Sequence, residues 1–153
     1  MTDMQPKKMI ILDILHILQK HSDKDHGLSQ RDIQELLESE YEMKVDRKTI
    51  SRNINTLVQC NFPIEYGNNG DETTLTKIYY DHTFLSGELR LLIDNVLLMD
   101  GLSKKDRISL IKRLESLSSK YFHSEISKID MDIYGKVINR EIILTLEEIG
   151  KAI

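Results

Sequence analysis

Apolar residues recur at helical spacing three times within the first sixty positions of the chain. A first helix is predicted over about residues 7–21, where the apolar stripe comprises Met9, Ile10, Ile11, Ile14, Leu15 and Leu18. A second helix is predicted from Ser29, a residue type favoured at N-caps, to about Glu40. Its apolar face comprises Ile33, Leu36 and Leu37.

Residues 45–58 predict a third helix with two unlike faces. At about 100° per residue, its apolar face comprises Ile50, Ile54, Leu57 and Val58. Asp46 can accept a hydrogen bond from a first-turn amide, which marks the start of the helix. The polar side, with Arg47 at the N-terminus, supplies candidate contacts to double-stranded DNA: Arg47, Lys48, Thr49, Ser51, Arg52, Asn55 and Thr56.

Charge is distributed unevenly around this third helix. The whole chain carries 21 Lys and Arg against 25 Asp and Glu, a net charge of −4, which on average repels DNA. No carboxylate occurs from Arg47 through Ile64, however, and screening limits the influence of distant acids to about 8 Å at physiological salt. The pattern favours a recognition helix, and the alternative is an ordinary amphipathic helix with a solvated basic face.

A β-hairpin is predicted directly after the third helix. Pro63 ends the helix, and strands are predicted at residues 64–66 and 77–80 around a Gly- and Asn-rich turn. Three helices followed by a hairpin predict a winged helix-turn-helix, in which the hairpin tip lies along DNA. Alternatively the hairpin only closes the core, which the acids Asp71 and Glu72 favour because they would face phosphates.

The segment RKTISRNINTL followed by FPI resembles the DeoR-type winged helix at the N-terminus of bacterial WYL-domain transcriptional regulators. The matching positions are Arg47, Thr49, Ile50, Arg52, Ile54, Leu57, Pro63 and Ile64. The resemblance implies that Arg47, Thr49 and Arg52 face DNA. Two residues depart from the family pattern: Asn53 replaces a usual Asp, and Phe62 replaces a frequent Gly.

The second half of the chain continues this resemblance. Two amphipathic helices, at about residues 86–100 and 103–122, are separated by Gly101 and predict an antiparallel helical hairpin like the linker of WYL regulators. A last helix is predicted over residues 139–153. The chain contains no Trp and ends without a WYL sensor domain, so it is expected to be a fragment of a longer regulator, or else a naturally short relative.

The pattern therefore divides the chain into a winged helix-turn-helix domain, residues 1–82, and a helical linker or dimerisation region, residues 83–153. The apolar positions of the second region outnumber those that one helical hairpin can bury, which predicts a homodimer. Alternatively these stripes pack on the absent sensor domain, which would also bind any effector.

Composition excludes several other classes. No run approaches the ~20 apolar residues that span a bilayer, the N-terminus is no signal peptide, and single Cys60 suits a reducing cytoplasm. A possible metal-binding cluster, HSDKDHG at residues 21–27, lacks helical His spacing and a Cys partner. No phosphate loop, nucleophile elbow or paired-carboxylate motif occurs, so neither an enzyme nor a cofactor is expected.

The sequence thus predicts a mainly α, sequence-specific DNA-binding transcriptional regulator without enzymatic activity. The alternative function is a winged-helix protein–protein interaction module that does not bind DNA directly, because a fold alone does not fix function. The carboxylate-free third helix is the feature that favours DNA.

Overall fold

The computed structural model of the protein describes residues 9–68 and 75–122. These residues form a mainly helical structure with one small antiparallel sheet, which confirms the predicted mainly α class. The elements are α1 (Ile10–His21), α2 (Gln30–Tyr41), α3 (Arg47–Gln59), β1 (Ile64–Asn68), β2 (Leu75–Tyr80), α4 (Ser86–Leu98) and α5 (Lys104–Glu115). The predicted helix at 139–153 and the tip of the hairpin lie outside the described residues.

The described residues divide into two compact units. The first unit comprises residues 9–68, 75–83 and 118–121, and the second unit comprises residues 84–117 together with Phe122. The chain therefore leaves the first unit near the predicted boundary at residue 82 and later returns to it. None of the helices in the described ranges is long and apolar enough to cross a lipid bilayer.

The predicted N-caps of α2 and α3 are confirmed. Ser29 Oγ accepts a hydrogen bond from the Asp32 amide at 3.2 Å, and the Asp32 carboxylate accepts one from the Ser29 amide at 2.7 Å, which completes a capping box. Asp46 Oδ1 accepts a hydrogen bond from the Thr49 amide at 2.9 Å. Glu42 ends α2 with a left-handed φ of 55°, which turns the chain toward α3.

The core of the first unit collects the apolar faces of α1, α2, α3 and the hairpin. Its buried members are Ile14, Leu15, Ile17, Leu18, Ile33, Leu37, Ile50, Ile54, Leu57, Ile64, Leu75 and Ile78. Val58 is half-buried against this cluster, whereas Met9, placed in the predicted stripe of α1, is 39% exposed. Burying these faces supplies most of the free energy that holds the three helices together, since short isolated helices are marginal in water.

The predicted hairpin forms, and both strands are longer than predicted. Ile64 pairs with Tyr80 and Asn68 pairs with Leu75, with a bulge in which β2 supplies one residue more than β1. On its other edge β2 is joined to the segment before α2, because the backbones of Leu28 and Ile78 exchange two hydrogen bonds of 2.8 Å. The hairpin is thereby fixed to the helical core from two sides.

Gly27 lies where this segment approaches β2 most closely. A Cβ atom at Gly27 would lie 2.9 Å from the backbone Cα and C of Lys77, whereas a Cβ at Gly87 in α4 would meet nothing within 4 Å.

We expect Gly27→Ala to destabilise the protein by about 1–3 kcal/mol, because the backbone at Gly27 or at Lys77 would have to move to make room for the methyl group. Gly87→Ala, the matched control, should stabilise it by about 0.5–1 kcal/mol through helix propensity. Urea unfolding of both variants measures this, and equal stabilities would contradict it.

Residues 118–121 pack on the loop between α1 and α2. The Lys120 amide donates to the Lys20 carbonyl at 2.8 Å, Ser119 Oγ donates to Asp23 Oδ2 at 2.5 Å, and the Tyr121 ring stacks on His26 at 3.9 Å. Burial alone would raise the pKa of Asp23, but hydrogen bonds from Ser119, His26 and backbone amides lower it below its usual value.

The second helix of the predicted helical hairpin was expected to continue to residue 122. This prediction is wrong, since α5 ends at Glu115.

The second unit is built on the contact between α4 and α5. Its buried apolar residues are Leu89, Ile93, Leu97 and Ile111. Ser103 caps α5, because its hydroxyl accepts a hydrogen bond from the Asp106 amide, and Gly101 has a φ of 100°, which reverses the chain between the helices. The spacing of the apolar residues predicts that Leu92 and Leu117 lie on the buried faces of these two helices, but both are exposed: Leu92 by 39%, and Leu117, which lies beyond the end of α5, by 46%.

Candidate nucleic-acid interface

The orientation of α3 is set by its apolar side. Ile50 and Ile54 are fully buried and Leu57 is 3% exposed, so the opposite side of the helix must face outward. Lys48, Arg52 and Thr56 are exposed there, and Asn55 is half-buried. We call these four residues, Lys48, Arg52, Asn55 and Thr56, the basic face of α3.

Three members of the basic face project in similar directions. Lys48, Arg52 and Asn55 fall within about 60° of one another around the helix axis at 100° per residue. A major groove admits one helix, and side chains within such an arc can reach the same set of base edges or phosphates. The basic face is thus compact enough to form one binding surface.

Ser51 was expected on the polar side, and this expectation is wrong. It is 4% exposed, its hydroxyl donates to the Arg47 carbonyl at 3.1 Å, and it accepts a hydrogen bond from Gln30 Nε2 of α2. Ser51 is buried because it lies only about 20° around the helix axis from Val58, which belongs to the apolar face of α3. Ser51 therefore links α3 to α2 and is too buried to contact DNA.

Arg47 lies toward α2 and away from the centre of the basic face. Its Nε donates to Gln34 Oε1 at 3.4 Å, while Gln34 Nε2 donates to the Val45 carbonyl at 2.7 Å. Gln34 therefore orients Arg47 and also anchors the chain that enters α3. Gln34 was not predicted from the sequence, because nothing in its spacing distinguishes it from the other polar residues of α2.

The two threonines of the predicted set are engaged within their own helix. Thr49 Oγ1 donates to Asp46 Oδ2 at 2.7 Å, and Thr56 Oγ1 donates to the Arg52 carbonyl at 2.9 Å. Phosphate oxygens only accept hydrogen bonds, so either hydroxyl would have to give up its internal bond to contact the DNA backbone. Lys48, Arg52 and the Asn55 amide are the better placed donors.

Asn55 connects α3 to the hairpin. The hydroxyl of Tyr66 in β1 donates to Asn55 Oδ1 at 3.2 Å, which leaves the amide nitrogen of Asn55 to donate elsewhere. This bond fixes which end of the side chain points away from the hairpin. Tyr66 was not singled out in the sequence, where it resembled an ordinary strand residue.

Asn53, one of the two departures from the family pattern, has a local role. Its Nδ2 donates to the Thr49 carbonyl at 2.8 Å, one turn earlier in α3. A carboxylate could not make this bond, because it has no hydrogen to donate. The orientation of α3 is thus compatible with Asn at this position.

The glutamates that precede α3 are largely paired with other cations. Glu35 Oε1 lies 2.9 Å from Arg31 Nε, and Glu38 Oε1 lies 3.1 Å from Lys44 Nζ. Glu40 lies 3.1 Å from Lys20 Nζ and 2.7 Å from His21 Nε2. Within residues 9–68 and 75–122, no carboxylate comes within 4 Å of the charged nitrogens of Lys48 or Arg52. No carboxylate of the described ranges therefore neutralises the positive charge of the basic face at close range.

The N-cap of α3 makes the stability of this helix depend on pH. Hydrogen bonds from the Thr49 hydroxyl and then from the Thr49 amide lower the pKa of Asp46 below its usual 3.8. Because the pKa is lower in the folded state, this stabilisation is present above pH 3.8 and is lost as the pH falls through the folded-state pKa.

We therefore expect Asp46→Ala to lower the melting temperature at pH 7 and to differ less from the parent protein as the pH falls below 3.8. Asp46→Asn is the matched control, since it keeps an N-cap acceptor but cannot titrate. Thermal unfolding followed by circular dichroism at several pH values provides the measurement. If the melting temperature of Asp46→Ala stayed below that of the parent protein by the same amount down to pH 2, the charge of Asp46 would not contribute to the stability of the cap.

Among the residues that the structure describes, no group of three or more His, Cys, Asp or Glu side chains could hold a metal ion. No family model, curated protein or solved structure matches the chain.

Proposed function

We propose that the protein is a sequence-specific DNA-binding transcriptional regulator whose first unit is a winged helix-turn-helix. In this proposal α3 enters the major groove, and the β1–β2 hairpin is the wing. The observation that carries the proposal is the exposed basic face of α3, which has no carboxylate partner in the described residues and lies opposite three buried apolar side chains.

Each member of the interface has a proposed role that follows from its donors. Arg52 and Lys48 donate to guanine edges or phosphates, and the amide nitrogen of Asn55 donates to an acceptor on a base. Arg47, held by Gln34, contacts the phosphate backbone at the start of α3 and fixes the position of the helix along the groove. Sequence preference should therefore arise from Lys48, Arg52 and Asn55.

The contact between Tyr66 and Asn55 supports the role of the hairpin. Since the hydroxyl of Tyr66 holds Asn55 Oδ1, the position of the hairpin is coupled to a side chain of the basic face. The resemblance to the DeoR-type winged helix of WYL regulators points to the same function, and residues 84–117 would then take the place of the helical linker. We place this activity in a reducing compartment such as the cytoplasm, because Cys60 is an exposed free thiol.

The proposal is tested by selecting DNA fragments from a random library with the full chain, followed by fluorescence anisotropy on the enriched duplex. We expect one motif to be enriched and the affinity to fall linearly with salt on a logarithmic scale. Asn55→Ala should relax the motif at one position, while Arg47→Ala should weaken all sequences about equally. Failure to enrich any motif, or binding that ignores salt, would overturn the proposal and favour the protein–protein interaction module.

A further inference from the structure

Tyr66 of β1 has a fixed position in the first unit. Its half-buried ring packs against the core, and the strand on either side of it is paired with β2. On its other edge, β2 is bound to Leu28 by two backbone hydrogen bonds of 2.8 Å. The hydroxyl of Tyr66 is therefore carried by a ring and a strand that are both held by packing, so its location is set before any ligand binds.

The Tyr66 hydroxyl fixes the direction of one side chain of the basic face. It donates to Asn55 Oδ1 at 3.2 Å. The last torsion angle of an Asn side chain is otherwise soft, with two roughly equivalent orientations that exchange the oxygen and the nitrogen. The bond from Tyr66 selects the orientation in which the oxygen faces the hairpin and the nitrogen faces away from it.

The orientation of Asn55 matters because the two ends of an amide recognise different atoms. The nitrogen carries two hydrogens and donates, whereas the oxygen accepts. The common contact of an Asn with adenine is bidentate, since the nitrogen donates to adenine N7 while the oxygen accepts from the N6 amino group. Both ends of the amide must then face the same base edge. Because Tyr66 directs the oxygen toward the hairpin, Asn55 presents only its nitrogen.

We propose that Tyr66 determines which base Asn55 reads, and that this base is guanine. The inference rests on the proposed function, since it requires α3 to lie in the major groove. A lone amide nitrogen binds best to the base that offers two acceptors and no donor in that groove, which is guanine with its N7 and O6 atoms. Thymine and adenine each offer one acceptor, and cytosine offers only an amino group. Tyr66 is thus a positioning residue, which acts through Asn55.

A purely structural role for the Tyr66 hydroxyl makes a different prediction. If the bond to Asn55 only joined β1 to α3, its removal would change the affinity for all DNA sequences by the same factor. If the bond positions Asn55, its removal changes the base preference at one position of the motif and leaves the other positions as they are. The base preference therefore separates the two roles.

The position that Asn55 reads is the one where Asn55→Ala relaxes the selected motif. Affinities are then measured for four duplexes that carry each of the four bases at this position, and the parent protein should bind guanine most tightly. Tyr66→Phe keeps the ring but frees Asn55 Oδ1 to accept from adenine. The ratio of the affinities for guanine and adenine should therefore fall by about 2-fold to 12-fold, the equivalent of one hydrogen bond.

Tyr79→Phe is the matched control, because it removes a hydroxyl from the neighbouring strand and leaves the bond between Tyr66 and Asn55 in place. Its base preferences should equal those of the parent protein. A parent protein that selects adenine at this position, or an unchanged ratio in Tyr66→Phe, would overturn this inference and leave the proposed function standing. A parent protein that enriches no motif would overturn both.

The contact between Tyr66 and Asn55 is also testable without DNA. The side-chain amide of Asn55 gives a pair of peaks in a nitrogen–proton correlation spectrum, which are assigned because Asn55→Ala removes them. Tyr66→Phe should shift this pair, since it removes the donor to Oδ1, whereas Tyr79→Phe should leave the pair in place. If Tyr66→Phe also left the pair in place, Tyr66 would not hold Asn55 and the inference would be wrong.

Discussion

Replacing Lys48 and Arg52 together by alanine is expected to weaken sequence-specific DNA binding by roughly 30-fold to 20,000-fold. Each lost contact to a base edge costs about 1–3 kcal/mol, and loss of both contacts together gives this range. Both side chains are exposed and lie opposite the buried side of α3, so the fold should persist. Fluorescence anisotropy on the selected duplex measures the change.

The matched control for this double variant is Lys24→Ala. Lys24 is an exposed lysine in the loop between α1 and α2, so it removes a positive charge from the same unit without touching α3. Lys24→Ala should change the affinity only slightly. It should also leave the slope of log affinity against log salt concentration unchanged, because that slope falls by about one unit only for each phosphate contact that is removed. If the double variant bound the duplex as tightly as Lys24→Ala, the basic face would not be the DNA-binding surface.

Ile54→Ala is expected to destabilise the first unit by about 2–5 kcal/mol. Ile54 is fully buried at the centre of the core, and truncation both removes its apolar contacts and leaves a cavity. Small domains are stable by only about 5–15 kcal/mol, so DNA binding should be lost through unfolding near physiological temperature. Urea unfolding, followed by hydrogen exchange in the first unit, measures the loss.

Leu12→Ala provides the comparison for Ile54→Ala. Leu12 belongs to the same core-forming unit but is 42% exposed, so its truncation should change stability by less than about 0.5 kcal/mol. A similar loss for the two variants would mean that burial in the structure does not determine stability at these positions. The pair also separates folding from binding, because the Lys48 and Arg52 variants should melt normally.

The features of α2 and α3 that were predictable from sequence are local ones. Ser29 and Asp46 cap their helices through residues three positions ahead, and the spacing of Ile50, Ile54 and Leu57 defines a buried side whatever packs against it. The hairpin strands followed from Pro63 and the turn composition. Short-range patterns of this kind do not depend on the rest of the fold.

The features that escaped prediction depend on distant partners. Ser51 lies at the border of the apolar side, and its burial is decided by Gln30, which belongs to another helix. The spacing of Leu114 and Leu117 favours a longer α5, yet the chain leaves the helix after Glu115 and Ser119 binds Asp23. Periodicity predicts which residues share a helix face, but it does not predict which other element packs against that face.

The return of residues 118–121 makes residues 84–117 an insertion within the first unit. The first unit is completed only after the chain has passed through residues 84–117, so its contact order is higher than that of a unit built from consecutive residues. A truncated protein that ends at residue 83 would lack Ser119 and Tyr121, and with them one hydrogen bond to Asp23 and the ring stacked on His26. Cutting the gene at a conventional domain boundary would therefore leave the loop between α1 and α2 incompletely packed.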